Sequence, residues 1–139
     1  MNFNINQFKT AWISEGLDES AVEFADSFGL YLCDKRSVKD RFPGRMAMTT
    51  SQIRNVFGEI KRIQTRGYEK EKSNFLLLRP KIAYAEARAL AKSNKSRVSE
   101  FRKVLDQAHM AVKNEKQFQN FVDFMEAVLA YHKAYGAKD

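Results

Sequence analysis

The sequence predicts an all-α fold, a compact bundle of about five helices. Apolar residues recur at the i, i+3, i+4, i+7 spacing of a buried helix face in several separate stretches, and no stretch shows the period-two alternation of a half-buried strand. The chain has 139 residues, of which 44% are hydrophobic and eleven are phenylalanine, enough to fill one core. We therefore expect a single helical domain over residues 1–139, with N-terminal helices and a basic loop over 1–47 and a helical core over 48–136.

The first 33 residues predict two short helices. Phe3, Phe8 and Trp12 mark the first, and Asp18 is placed to cap the second, in which Gly29 either ends the helix or merely weakens it. Residues 34–47 then carry five Lys or Arg residues around a Phe-Pro-Gly turn. This loop is either a solvated connection or an extension of a basic surface on the next helix.

The clearest helix begins after Thr49. Thr49 is a good N-cap, and Gln52 stands three positions later, where a capping box places its reciprocal acceptor. Met48 and Ile53 supply a hydrophobic staple across this cap. The apolar stripe that continues to Ile63 must be buried, so the helix has one fixed inner face.

A basic sector lies beside that stripe and contains Arg54, Lys61 and Arg62. Gly58 falls in the same sector, although a glycine in a helix interior costs about 1 kcal/mol relative to alanine. Two explanations are open. The bare backbone serves a close approach, for example by a nucleic-acid strand, or it relieves crowding against a neighbouring helix.

Pro80 marks the next helix, either as its start or as a kink, because proline fits a first turn and disfavours helix at the preceding residue. The alanine-rich stretch that follows is strongly helical. Lys81, Arg88 and Lys92 form a basic stripe on it, with the small Ala85 between them. The set expected to be buried is Ile82, Ala83, Tyr84, Ala87, Leu90 and Ala91.

Two more amphipathic helices are predicted, one over residues 98–112 and one from an Asn114 cap to a Gly136 stop. His132 lies on the apolar face of the last helix and is interpreted as a core or boundary histidine, whereas His109 is expected at the surface. The sequence contains no metal-binding, nucleophile or phosphate-loop motif. We therefore expect a protein that is not an enzyme and has no metal or cofactor.

Composition favours a polyanionic partner. The formal net charge is +7 and the pI is about 9.6, which are high for this size. The single cysteine, Cys33, permits no intramolecular disulfide and is interpreted as a small buried hydrophobe. The N-terminus lacks a signal-peptide pattern, and no run approaches the ~20 apolar residues of a membrane span. We expect a soluble, cytoplasmic protein with no membrane partner.

Three blocks of the sequence resemble, in order and spacing, the signature blocks of one protein family. They are TTSQIRNVFGEIKRIQ, LLLRPKIAYAEAR and FQNFVDFMEAVLAYHKAYG, and the likeness spans residues 48–136. The family is the small subunit of type III-A CRISPR effector (Csm) complexes. The resemblance implies a non-catalytic subunit in antiviral defence that contacts guide RNA and target RNA, the backbone and other subunits, and stacked or dimeric copies of itself.

Matching the blocks residue by residue implies a set of RNA-facing positions that largely coincides with the basic sectors described above. The set is Arg54, Lys61, Arg62, Arg79, Lys81, Arg88 and Lys133.

Two other classes of function remain open on the sequence. A helical DNA-binding regulator would lay the helix after Thr49 in a major groove, but that helix has few base-reading Asn or Gln residues on its basic side. A small nuclease would need a carboxylate cluster or a histidine pair that the sequence does not display.

Overall fold

The computed structural model describes residues 3–33, 47–92 and 96–136. A 3-10 turn at Ile5–Gln7 precedes seven α-helices, and no β-strand occurs within the described residues, so the all-α prediction is confirmed. Five of the helices are longer than ten residues, which agrees with the expected number. The helices are α1 (Ala11–Ser14), α2 (Glu19–Cys33), α3 (Thr50–Arg66), α4 (Lys72–Leu76), α5 (Leu78–Lys92), α6 (Val98–Met110) and α7 (Glu115–Ala134).

The predicted helix caps are present. The Thr49 side chain accepts a hydrogen bond from the Gln52 amide at 3.1 Å, and the Gln52 side chain accepts one from the Thr49 amide at 2.7 Å, which completes the capping box of α3. The side chain of Asn114 caps α7, and Gly136, at φ +83°, follows that helix in the left-handed conformation that glycine tolerates. These local signals therefore determine where the two longest helices begin or end.

The core is built around α7, which packs against α1, α2 and α3, while α5 packs against α6 and α3. Aromatic rings fill the space between α1, α2 and α7, with Phe8, Trp12, Phe24 and Phe124 in mutual contact at centroid distances of 5.4 to 6.2 Å. Aromatic pairs at such distances add to the stabilisation from area burial. One hydrophobic cluster runs through all seven helices.

Gly29 has a packing role that the sequence did not reveal. The second helix continues through it to Cys33, and a Cβ at Gly29 would come within 2.7 Å of the His132 backbone nitrogen and the Tyr131 Cβ. Gly29 therefore allows α2 and α7 to lie in close contact. Neither earlier explanation of Gly29, as a helix end or a weak point, describes this role.

The expected burial of α5 is wrong in most positions. Ile82 is buried, but Tyr84 is 66% exposed and Leu90, Ala87 and Ala91 are also exposed. The helix is apolar on two sides, so its spacing alone does not decide which side meets the core. Contacts with α3 and α6 select the side that contains Leu78, Ile82 and Ala89.

Pro80 lies in the first turn of α5, as one of its two interpretations required. The basic loop at 34–47 lies, except for Ala47, outside the described residues. Among the described helices, none is long and apolar enough to cross a membrane.

Candidate nucleic-acid interface

A groove with a volume of about 530 Å³ lies between α3 and α5. Each of the two helices buries an apolar stripe, which contains Ile53 and Ile60 on α3 and Leu78 and Ile82 on α5. The residues beside these two stripes then face each other across the groove. The lining residues from α3 are Ser51, Gln52, Asn55, Val56 and Glu59, those from α5 are Leu78, Lys81, Ile82, Ala85, Arg88, Ala89 and Lys92, and Met48 and Val98 complete the lining.

The α5 wall carries the positive charge of the groove. Lys81, Arg88 and Lys92 all line it, and all three are exposed. They stand seven and four residues apart, so they follow one side of the helix. The Arg88 guanidinium lies 5.8 Å from the centre of the Tyr84 ring, and no described carboxylate forms an ion pair with it. A row of cations therefore faces any anion that enters the groove.

Apart from Val56, the α3 residues that line the groove are polar, and one of them, Glu59, is a carboxylate whose side chain is about 30% exposed. A Glu59 oxygen lies 3.4 Å from Lys81 Nζ and 3.5 Å from Arg62 Nη2. Two of the predicted RNA-facing cations thus share one internal counter-ion. Exposed ion pairs of this kind contribute little to stability, so a phosphate can replace Glu59 as the partner of Lys81 at small cost to the fold.

Arg54 and Lys61 lie on a different surface, which we call the α3 outer face and define by Arg54, Gly58, Lys61 and Thr65. At 100° per residue, Arg54 and Lys61 lie roughly 130 to 150° around the helix from the groove-lining side. Lys61 Nζ lies 5.9 Å from the centre of the Phe57 ring. The structure therefore does not bring Arg54 and Lys61 together with Lys81 and Arg88 in one groove.

Gly58 is exposed at the centre of the α3 outer face, and a Cβ built on it would meet nothing within 4 Å. Crowding against a neighbouring helix of the described chain is therefore not the reason for this glycine, and that explanation is wrong. The other explanation, close approach by a binding partner, is compatible with this position.

The last two predicted positions lie outside the groove. Arg79 is on the side of α5 that meets α6, where its Nε lies 3.9 Å from Asp106, and Asp106 also pairs with Arg102 at 3.4 Å. Arg102 in turn pairs with Glu86 of α5 at 2.7 Å, and these pairs link α5 to α6. Lys133 is exposed in the last turn of α7 and does not line the groove.

Sequence reasoning missed two residues of this site. Lys92 was recognised as part of the α5 stripe but was left out of the candidate set, although it lies one turn beyond Arg88 and lines the groove. Glu59 was missed because its effect depends on Lys81 of another helix. The available signal was its position three residues before Arg62, because oppositely charged side chains three residues apart on a helix can pair.

The two histidines have structural environments. His132 is fully buried, as expected, and its Nε2 donates a hydrogen bond to the Met48 carbonyl at 2.7 Å. His109 is also buried, so the surface assignment is wrong: its Nε2 donates to the Phe75 carbonyl at 2.7 Å, and its ring stacks on the Phe75 ring at 3.8 Å. Burial lowers the pKa of both histidines, because desolvation disfavours the charged ring.

Cys33 is buried, as expected, and its Sγ contacts the Leu30 and Tyr135 carbonyl oxygens. Within residues 3–33, 47–92 and 96–136, no group of three or more His, Cys, Asp or Glu side chains is arranged to hold a metal ion. The side chains that line the α3–α5 groove, in contrast, can hold an anion by positive charge and by hydrogen bonds.

A cation-lined groove on a helical bundle can hold a nucleic-acid backbone through phosphate contacts that do not read bases. The comparison with protein families is more specific, because the Csm2 Type III-A family matches residues 37–138. The chain belongs to this family, the small subunits of the type III-A CRISPR (Csm) effector complex. Neither a curated protein sequence nor a solved structure matches the chain.

Proposed function

We propose that this chain is a non-catalytic, RNA-binding small subunit whose α3–α5 groove holds the RNA backbone in the type III-A complex. The observation that carries the proposal is the row of three exposed cations along one wall of a groove in a member of this family. The net charge of +7 attracts a polyanion over a longer range.

The two walls offer different contacts. Lys81, Arg88 and Lys92 pair with phosphates along the α5 wall, and the four-residue step from Arg88 to Lys92 spans about 6 Å of helix axis. Ser51 and Asn55 on the opposite wall offer hydroxyl and amide groups to phosphate or ribose oxygens. These contacts do not read bases, so guide pairing supplies the sequence specificity.

The remaining candidate cations lie outside the groove, and we propose a secondary role for them. Arg54 and Lys61 present charge on the α3 outer face, and Lys133 does so on α7, where each is open to RNA or to an acidic neighbouring subunit. Arg79 and Arg62 are held by Asp106 and Glu59 and contribute less to RNA affinity. We further propose that guide RNA, target RNA, other complex subunits and additional copies of the chain are its partners in the cytoplasm.

The test compares two double variants of the purified chain with a single-stranded RNA. Lys81→Gln/Arg88→Gln removes two groove cations, and Arg54→Gln/Lys61→Gln removes the same charge from the α3 outer face. We expect the groove variant to lose more affinity and to flatten the plot of log K against log salt by about 1.4 for two lost phosphate contacts. Equal losses of RNA affinity in the two variants, or a loss confined to the outer-face variant, would show that the groove is not the RNA-binding site.

The DNA-binding regulator is the alternative function. Family membership favours RNA, and the same assay separates the two, because a regulator prefers double-stranded DNA to single-stranded RNA of equal length. Tighter binding to the duplex DNA at matched salt would favour the regulator over the proposed function.

A further inference from the structure

A polar depression lies near the start of the chain, between the N-terminal segment that leads into α1 and one side of α2. Its volume is about 400 Å³, within the range of about 300 to 1,000 Å³ that is usual for ligand pockets. The lining residues are Asn6, Gln7, Lys9 and Trp12 from the N-terminal segment and α1, and Ser20, Glu23, Phe24 and Ser27 from α2. None of them lines the α3–α5 groove, and all of them precede residues 37–138, which match the Csm2 family. The depression is therefore a separate feature of this chain.

Trp12 brings a buried hydrogen-bond donor to this depression. The residue is only 3% exposed, and its indole Nε1 has no hydrogen-bond acceptor in the part of the chain that the structure describes. The N–H of a buried tryptophan usually finds a partner, because an unpaired donor gives up its hydrogen bonds to water without replacement. A molecule that fits the depression would therefore supply an acceptor for Trp12.

Glu23 offers the opposite kind of group on the α2 side. Its side chain is exposed, and no cation of the described chain forms an ion pair with its carboxylate. An ionised carboxylate only accepts hydrogen bonds, so a fitting molecule also needs a donor. The amide side chains of Asn6 and Gln7, on the other side of the depression, can each donate and accept.

The peptide group meets both requirements, because its C=O accepts and its N–H donates. We propose that this depression binds the main chain of an extended segment from a different protein. A carbonyl of that segment accepts from the Trp12 indole, and an N–H donates to Glu23. A second copy of the chain is a poorer source, because its long helices already use their main-chain groups internally.

Two other classes of ligand fit less well. Residues 10–33 contain five Asp or Glu residues and no Lys or Arg, so this part of the chain repels the phosphates of a nucleic acid. A carboxylate ion matches Lys9, but it sets its charge beside Glu23 and has no donor to offer.

The indole N–H itself provides the test. Trp12 is the single tryptophan of the chain, so its N–H gives one separate signal in a ¹H–¹⁵N correlation spectrum of the labelled, full-length protein. The probe is N-acetyl-trialanine N-methylamide, a blocked tripeptide whose polar groups are all main-chain amides. We expect this probe to move the indole proton signal downfield in a saturable way, as a new hydrogen bond does. Sodium acetate and single-stranded RNA, added in separate samples, should leave the signal in place.

Two matched variants test the contact with the α2 side. Glu23→Gln keeps the indole signal and replaces a charged acceptor with a neutral one, so the blocked tripeptide should bind about 2- to 10-fold more weakly. Glu19→Gln makes the same change of net charge on the exposed first turn of α2, outside the lining of the depression, and should leave the affinity unchanged.

Four outcomes would overturn this assignment. The blocked tripeptide leaves the indole signal in place, acetate or RNA moves it equally, or the two variants lose the same affinity. A downfield shift that grows with the concentration of the chain alone would instead assign the depression to a second copy. The affinity of both variants for single-stranded RNA is measured separately, so a failure of this site is distinguishable from a failure of the α3–α5 groove.

Discussion

Removal of the carboxylate in the groove by Glu59→Gln is expected to tighten RNA binding. Glu59 lies 3.4 Å from Lys81 Nζ, so a phosphate bound on the far side of Lys81 lies about 6 Å from the carboxylate. At that distance the repulsion between two unit charges is ~0.7 kcal/mol at the dielectric constant of water and ~2.8 kcal/mol at an effective value of 20. The variant should therefore bind single-stranded RNA about 3-fold to 100-fold more tightly. Loss of the two exposed ion pairs should change the free energy of unfolding by less than about 1 kcal/mol.

The assay is fluorescence anisotropy of a labelled single-stranded RNA over a series of salt concentrations. Glu126→Gln is the matched control, because Glu126 is exposed on α7 and the substitution changes the net charge by the same amount. The gain from Glu59→Gln should shrink as salt rises, since a shorter Debye length screens the repulsion. An equal gain in both variants would show that only net charge matters, and weaker binding by Glu59→Gln would refute the placement of phosphate beside Lys81.

Three further predictions concern stability, each measured by urea unfolding followed by circular dichroism. Gly58→Ala should stabilise the chain by up to about 1 kcal/mol, because a Cβ at this position meets no atom within 4 Å. Gly29→Ala should destabilise the chain by about 1 to 3 kcal/mol, because a Cβ there comes within 2.7 Å of α7. A more stable Gly29→Ala variant and a less stable Gly58→Ala variant would contradict the described packing. Thr49→Ala should cost about 1 kcal/mol through loss of the α3 cap, and an unchanged midpoint would mean that the capping box contributes nothing. Burial lowers the folded-state pKa of His109 and His132 below 6.5, so the unfolded chain binds more protons than the folded chain as pH falls. The free energy of unfolding should therefore fall by up to about 1.4 kcal/mol per pH unit for each histidine below pH 6.5. Equal stability at pH 7.5 and at pH 5.5 would contradict this prediction.

Local signals in the sequence predicted the helices well because each signal acts within a few residues. The Thr49–Gln52 capping box, the Asn114 cap and the Gly136 stop depend on backbone groups three or four positions away, and all are present in the structure. The apolar stripe of α3 was equally clear, because polar residues occupy the rest of that helix.

Features that depend on contacts between helices could not be predicted from the sequence. Alanine and leucine occupy both sides of α5, so the exposure of Tyr84 and Leu90 was decided by α3 and α6. His109 is buried because the ring of Phe75 from α4 stacks on it. In the same way, the sequence predicted a basic sector on α3 and another on α5, but it could not predict which way each sector faces in the folded chain. Only the structure shows that Lys81 lines the groove and Lys61 does not.

The most direct test of the groove is lysine acetylation footprinting of the purified chain with and without single-stranded RNA. RNA bound in the groove should protect Lys81 and Lys92, which line it, while the exposed Lys103 on α6 and Lys116 on α7 should react at the same rate in both samples. Equal modification of Lys81 and Lys92 with and without RNA, together with protection of lysines elsewhere, would contradict RNA binding in the α3–α5 groove.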